Sequence, residues 1–223
     1  MSELLVNRAK DISKPRGLRK FLTYIAGNGI ISLEGSEHKY IRKKSLAHFN
    51  VSSVKKLYPL MWYDAQEFAR SLNKNIIEQK AGKVEVSRWT EDITNKVIGK
   101  TVFGWDSAAN SDDKFDKIVN LIKLFLQPDS KMQLYICLVV VFSVQVASFV
   151  MPKTGKTFSN ASTAVMAMSF RLVNDKKEVL EKADLDVKTH EDQHVDLLSN
   201  MIRSADFSDD DMAAALITYM VAG

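Results

Sequence analysis

Four short stretches of this 223-residue chain place chemically capable residue types at suggestive spacings. His190-Glu191-Asp192-Gln193-His194 matches H-E-x-x-H; on a helix this sets two imidazoles around zinc, with Glu191 as the base of a hydrolase. A catalytic zinc needs a third protein ligand. No glutamate follows Glu191, and the other histidines, His38 and His48, lie far upstream, so an aspartate would have to substitute. The surrounding charge makes a solvated loop the simpler reading. Gly155-Lys156-Thr157 is the tail of a phosphate-binding G-x-x-x-x-G-K-T, with an apolar run before it and a helix after it. The first glycine of that loop falls on Val150, a β-branched residue that resists the required backbone. A basic turn is expected instead. Gly27-Asn28-Gly29 could open a dinucleotide loop, but Ser32 stands where the third glycine belongs.

The fourth stretch is GNGIISLEGSEHKYIRKKSLAHF, residues 27–49. His38 and Arg42 are one helical turn apart, and Phe49 falls on the same face three turns on. Two cationic or N–H donors so placed can reach one carboxylate together. On charge alone, a solvated basic helix face is the competing reading.

Helices must position these residues. Pro15 and Gly17 predict a turn in a basic leader, and Phe21 to Ile31 reads as a short piece broken at Gly27 and Gly29. Helical periodicity covers Glu37 to Phe49, then Val54 to Gln79 with a kink at Pro59. A further helix, Val86 to Val102, closes at Phe103 and Gly104. Phe115 to Leu126 follows. Leu134 to Val150 is the most apolar run, 17 residues with Gln145 inside it, which is marginal for a membrane span. It suits a buried core segment or insertion into a membrane surface. Thr157 to Lys182 and Val195 to Arg203 read as helices with a charged loop at Ala183 to His194, and Ser208 caps a last helix opened by Asp209 to Asp211. Little alternates as a strand does. The fold class is mainly α.

Bulk composition excludes little else. Hydrophobic content of 46% with 26% charged residues is globular. The net charge of +4 permits an anionic ligand or membrane surface without demanding either. The single cysteine, Cys137, precludes an intramolecular disulfide and a cysteine-rich metal site. No signal peptide is expected from the polar N-terminus. Cys137 sits in the apolar run, where a buried structural thiol is expected.

Taken in order, three blocks resemble the cytochrome P-450 (haem-thiolate monooxygenase) family. Gly27, Gly29, Ile30, Ile31, Gly35, His38, Arg42, Lys43 and Phe49 are similar to that family's entry into helix C. Asp92-Ile93-Thr94 through Val102-Phe103-Gly104 resembles its helix E. Asp196-Leu197-Leu198-Ser199, then Ser208-Asp209-Asp210 and Thr218 to Gly223 resemble its approach into helix I. The resemblance implies a partial P-450 fold, from before helix C to the middle of helix I, with residues 1–223 one incomplete domain. It implies haem as cofactor, with His38 and Arg42 holding one propionate. Ala222 and Gly223 would then form the helix surface where oxygen and substrate meet.

The resemblance further implies a lipophilic organic substrate and a NADPH-cytochrome reductase-type electron donor, with no nucleic acid partner. Residues 134–152 fall in the family's F–G region, implying contact with the cytoplasmic face of the endoplasmic reticulum membrane. The family's iron is held by a cysteine thiolate in a loop that has no match in these residues, and Cys137 is a poor candidate for it. A chain without monooxygenase activity of its own is therefore expected. A zinc hydrolase through His190 and His194, and a non-catalytic membrane-associated helical module, stand as the alternatives.

Overall fold

A computed structural model describes residues 12–79, 85–104, 114–185 and 196–222. Its described residues form ten helices and no strand. They are α1 (Arg16–Ala26), α2 (Gly35–His48), α3 (Val51–Gln79), α4 (Val86–Phe103) and α5 (Lys114–Leu126). The remainder are α6 (Ser130–Val141), α7 (Val144–Val150), α8 (Pro152–Leu185), α9 (Leu197–Ser204) and α10 (Asp209–Ala222). The mainly α expectation is met.

Local chemistry sets many of the boundaries. Asp129 caps α6 by accepting from the Met132 amide at 2.8 Å, and Ser143 caps α7 by accepting from that of Val146 at 3.3 Å. Ser208 and Asp211 form a reciprocal capping pair at the start of α10, with bonds of 3.1 and 3.2 Å. Gly104 closes α4 in the left-handed region, at φ 62 and ψ 30.

Three boundaries correct the sequence reading. Pro15 precedes α1 rather than a turn, so Gly17 lies inside a helix. It is needed there for space, since a Cβ would lie 1.6 Å from the Val140 carbonyl oxygen of α6. The apolar run is not one element, because Phe142 and Ser143 break it into α6 and α7. Pro152 opens α8 at a position where proline's missing N–H costs nothing. Gly155, Lys156 and Thr157 therefore lie within the first turns of α8 and form neither a phosphate loop nor a basic turn.

α10 is the centre of the molecule. Residues 212–218 and 220 are all buried, the signature of a helix walled on every side. It packs on α8, α4, α5 and α1. Leu216 and Ile217 meet Val165, Leu172 and Val173 of α8, with Phe103, Ile118, Leu198 and Met201 completing this core. A second core gathers α1, α6, α7 and α8 around Phe158. The Phe158 ring lies 5.1 Å from those of Tyr24 and Tyr135, and 5.4 Å from Phe125. α3 sits outside both cores, held to α4 by Asp64–Lys100 at 2.8 Å and Lys96–Glu67 at 2.8 Å.

Candidate cofactor site

The glycine turn exists so that backbone can lie against backbone. At Gly29 a Cβ would sit 3.0 Å from both the Ala214 carbonyl oxygen and Thr218 Oγ1, so the turn presses onto α10. Ser32, the residue that spoils a dinucleotide loop, is buried and closes the turn. Its hydroxyl bonds the Gly27 and Gly29 carbonyls at 2.7 and 2.9 Å. α2 then opens at Gly35, with Glu37 complementing the positive end of its dipole.

His38 and Arg42 stand one turn apart on α2, His38 part-buried and Arg42 exposed. Among the described residues neither has an ion pair or a hydrogen bond to another side chain. Their helix face continues to Phe49, whose ring meets Tyr219 of α10 edge-on at 5.1 Å and 65°. Ser45, buried one turn before Phe49, donates to the Ile41 carbonyl at 2.9 Å. Burial raises the Tyr219 pKa above its ordinary value, with the Ser45 side chain opposing. His48 lies 5.7 Å from the Phe207 ring, and its buried Nε2 has no partner. Burial lowers its pKa, against the pull of Asp206. Lys44 bonds the Asp206 carbonyl and lies 4.3 Å over the Tyr40 ring.

These placements sort the sequence candidates. His38 and Arg42 stand one turn apart on α2, as their spacing predicts. Ala222 is the last residue of α10, while Gly223, His190, Glu191 and His194 lie outside the described residues. Among the described residues no three His, Cys, Asp or Glu side chains gather to hold a metal. Cys137 corrects an expectation, for it is exposed. Met132, Tyr135 and Val139 are the buried face of α6, so helical phase turns Cys137 outward. No described helix is long and apolar enough to cross a membrane.

Sequence reasoning missed Tyr219. The available signal was a lone phenol within the apolar segment TYMVAG, since a buried tyrosine hydroxyl seeks a partner. It also missed an open cleft of about 510 Å³ between α4, α5 and the end of α10, lined by Thr90, Thr94, Asn95, Ile122, Met220 and Val221.

One edge of a haem fits these residues, because two N–H donors one turn apart, without partners among the described residues, match a carboxylate. The iron's thiolate finds no match among them. Cys137 is on α6, which packs on α1, α7 and α8, while α2 packs on α9.

Comparison with known proteins gives the family. Cytochrome P450 monooxygenase sphH of Aspergillus fumigatus is 24% identical over 227 aligned positions, covering 100% of this chain and 41% of that protein. Cytochrome P450 monooxygenase FUM15 of Gibberella moniliformis is 24% identical over 231, covering 100% and 38%. Cytochrome P450 monooxygenase ALT8 of Alternaria alternata is 36% identical over 86, covering 38% of this chain and 14% of that protein. The chain thus spans about two-fifths of the length of the relatives it matches from end to end. The model of the family Cytochrome P450 matches residues 1–223, and the chain belongs to that family.

Proposed function

We propose that this chain supplies the propionate side of the haem cradle of a cytochrome P450 monooxygenase. The whole enzyme would insert one atom of molecular oxygen into a lipophilic organic substrate, the other leaving as water, with two electrons from a NADPH-dependent reductase and two protons from solvent. The observation that carries this is the pair His38 and Arg42, one turn apart on α2 and without partners among the described residues. A haem propionate near the protein edge needs charge-assisted donors, and Arg42 offers a guanidinium fork beside a ring N–H of His38. Haem, when bound, would supply the iron that activates oxygen.

Ala222, the last residue of the central helix, and Gly223, outside the described residues, are assigned by the family resemblance to the surface facing oxygen and substrate. Small residues there leave room for both. The thiolate must come from outside these residues, so the 223-residue chain alone is assigned no monooxygenase activity. α6, α7 and the break between them present Leu134, Val141, Phe142, Val146, Phe149 and Val150 to the outside, Phe149 at 89% exposure. Such an apolar face, with Lys131, Lys153 and Lys156 on the same segment, favours a membrane surface over water. The cytoplasmic face of the endoplasmic reticulum is the assigned location. The run from His38 to Tyr63 holds Lys39, Arg42, Lys43, Lys44, Lys55 and Lys56 and no carboxylate, which suits an acidic electron donor.

Haem titration into the intact chain tests the central part. Each of His38→Ala and Arg42→Ala should weaken uptake, Arg42→Ala by about ten- to a hundredfold, the worth of a hydrogen bond to a charged group. Equal affinity in the wild type and the double variant would refute the clamp. Flotation with anionic liposomes, expected to fall on Phe142→Asp with Phe149→Asp, tests the membrane face.

A further inference from the structure

α2 reaches α10 differently from the way most helices here meet. Its backbone packs on α9, and its C-terminal end is joined to α10 through the Phe49–Tyr219 ring contact. The Gly27–Gly29 turn fixes the other approach, against Ala214 and Thr218. α2 is therefore tethered to α10 twice, by tight backbone contact before the helix and by an aromatic spacer at its end. His38 and Arg42 lie between the two tethers, on the face that carries Phe49.

We propose that Tyr219 is a positioning residue, its ring setting the separation of α2 from the last turn of α10 and thus where His38 and Arg42 stand. This rests on the clamp reading above. The ring edge at 5.1 Å from Phe49 is within the spacing that aromatic pairs prefer. The Tyr219 ring is part-buried against Phe49, so it cannot swing away from α2 without giving up that contact. Its raised pKa is what a neutral, enclosed phenol should have. Tyr219 touches neither substrate nor oxygen in this account; it acts through α2.

The test uses the full chain with Cys137→Ser, nitroxide labels at Lys43→Cys and Asp210→Cys, and distance measurement by electron spin resonance. Tyr219→Phe should keep the wild-type distance distribution, because the spacer ring remains. Tyr219→Ala should shift or broaden it by roughly 2 Å or more, about half the thickness an aromatic pair occupies. Parallel haem titrations should show Tyr219→Ala losing about tenfold in affinity and Tyr219→Phe restoring most of it. An unchanged distance in Tyr219→Ala would overturn the spacer. So would a changed distance with wild-type haem affinity, since the separation would then not serve the clamp. If the wild type takes up no haem, the clamp reading itself fails, and the label distances alone decide whether Tyr219 spaces the helices.

Discussion

Two charged assemblies in this molecule are built in opposite ways. Asp196 and Lys176 meet at 2.6 Å at the junction of α4, α8 and α9, the Asp196 side chain 4% exposed. Both carboxylate oxygens are used: one accepts from the Ser199 amide at 2.8 Å, the other from the Ser199 hydroxyl at 2.8 Å and from Lys176. Gly104 lies so close that a Cβ there would be 2.2 Å from the carboxylate. His38 and Arg42 are left without partners among the described residues, on a helix that faces outward along much of its length. A buried charge must be completed by the chain or it costs too much to bury. An open pair of donors is free to be completed by something else, and that is the physical ground for calling one structural and proposing the other as a site.

Breaking the closed assembly should have the largest effect. Asp196→Ala strands the Lys176 ammonium and removes the α9 cap, so a loss of about 3–5 kcal/mol is expected by urea unfolding. Gly104→Ala should cost about 1–3 kcal/mol, from its positive φ and from the carboxylate it displaces. Arg42→Ala should change unfolding stability by less than about 0.5 kcal/mol, because the exposed guanidinium has no partner among the described residues. A large stability loss there would erase the contrast.

The smallest expected effect is pH-dependent. Burial depresses the His48 pKa below its unfolded value of about 6.5. The stability linked to neutral His48 is therefore present above about pH 6.5 and declines as pH falls toward the folded pKa. His48→Gln should flatten that limb in unfolding curves taken from pH 7 to 5.

The parts legible in the sequence carry their own local chemistry. Gly104 after an apolar turn, Ser208 before three aspartates, and the four-residue step from His38 to Arg42 each name an element without knowledge of the rest. What was not legible depends on phase or on distance along the chain. Ser143 is a cap hidden by the apolar average around it, and Pro152 reads as a terminator until α8 is seen to begin with it. Cys137 is turned outward by the phase of α6, which only its packing on α1 and α8 settles. Tyr219 meets Phe49 across some 170 residues, a pairing no local window contains.

The central claim is that the donors for a haem's edge are here and the iron's thiolate is not. Haem added to the intact chain, reduced and exposed to carbon monoxide, tests it in one spectrum. Bound haem without the thiolate-type Soret band is expected, with binding weakened in Arg42→Ala. A thiolate-type band in the wild type that disappears in Cys137→Ser would contradict it.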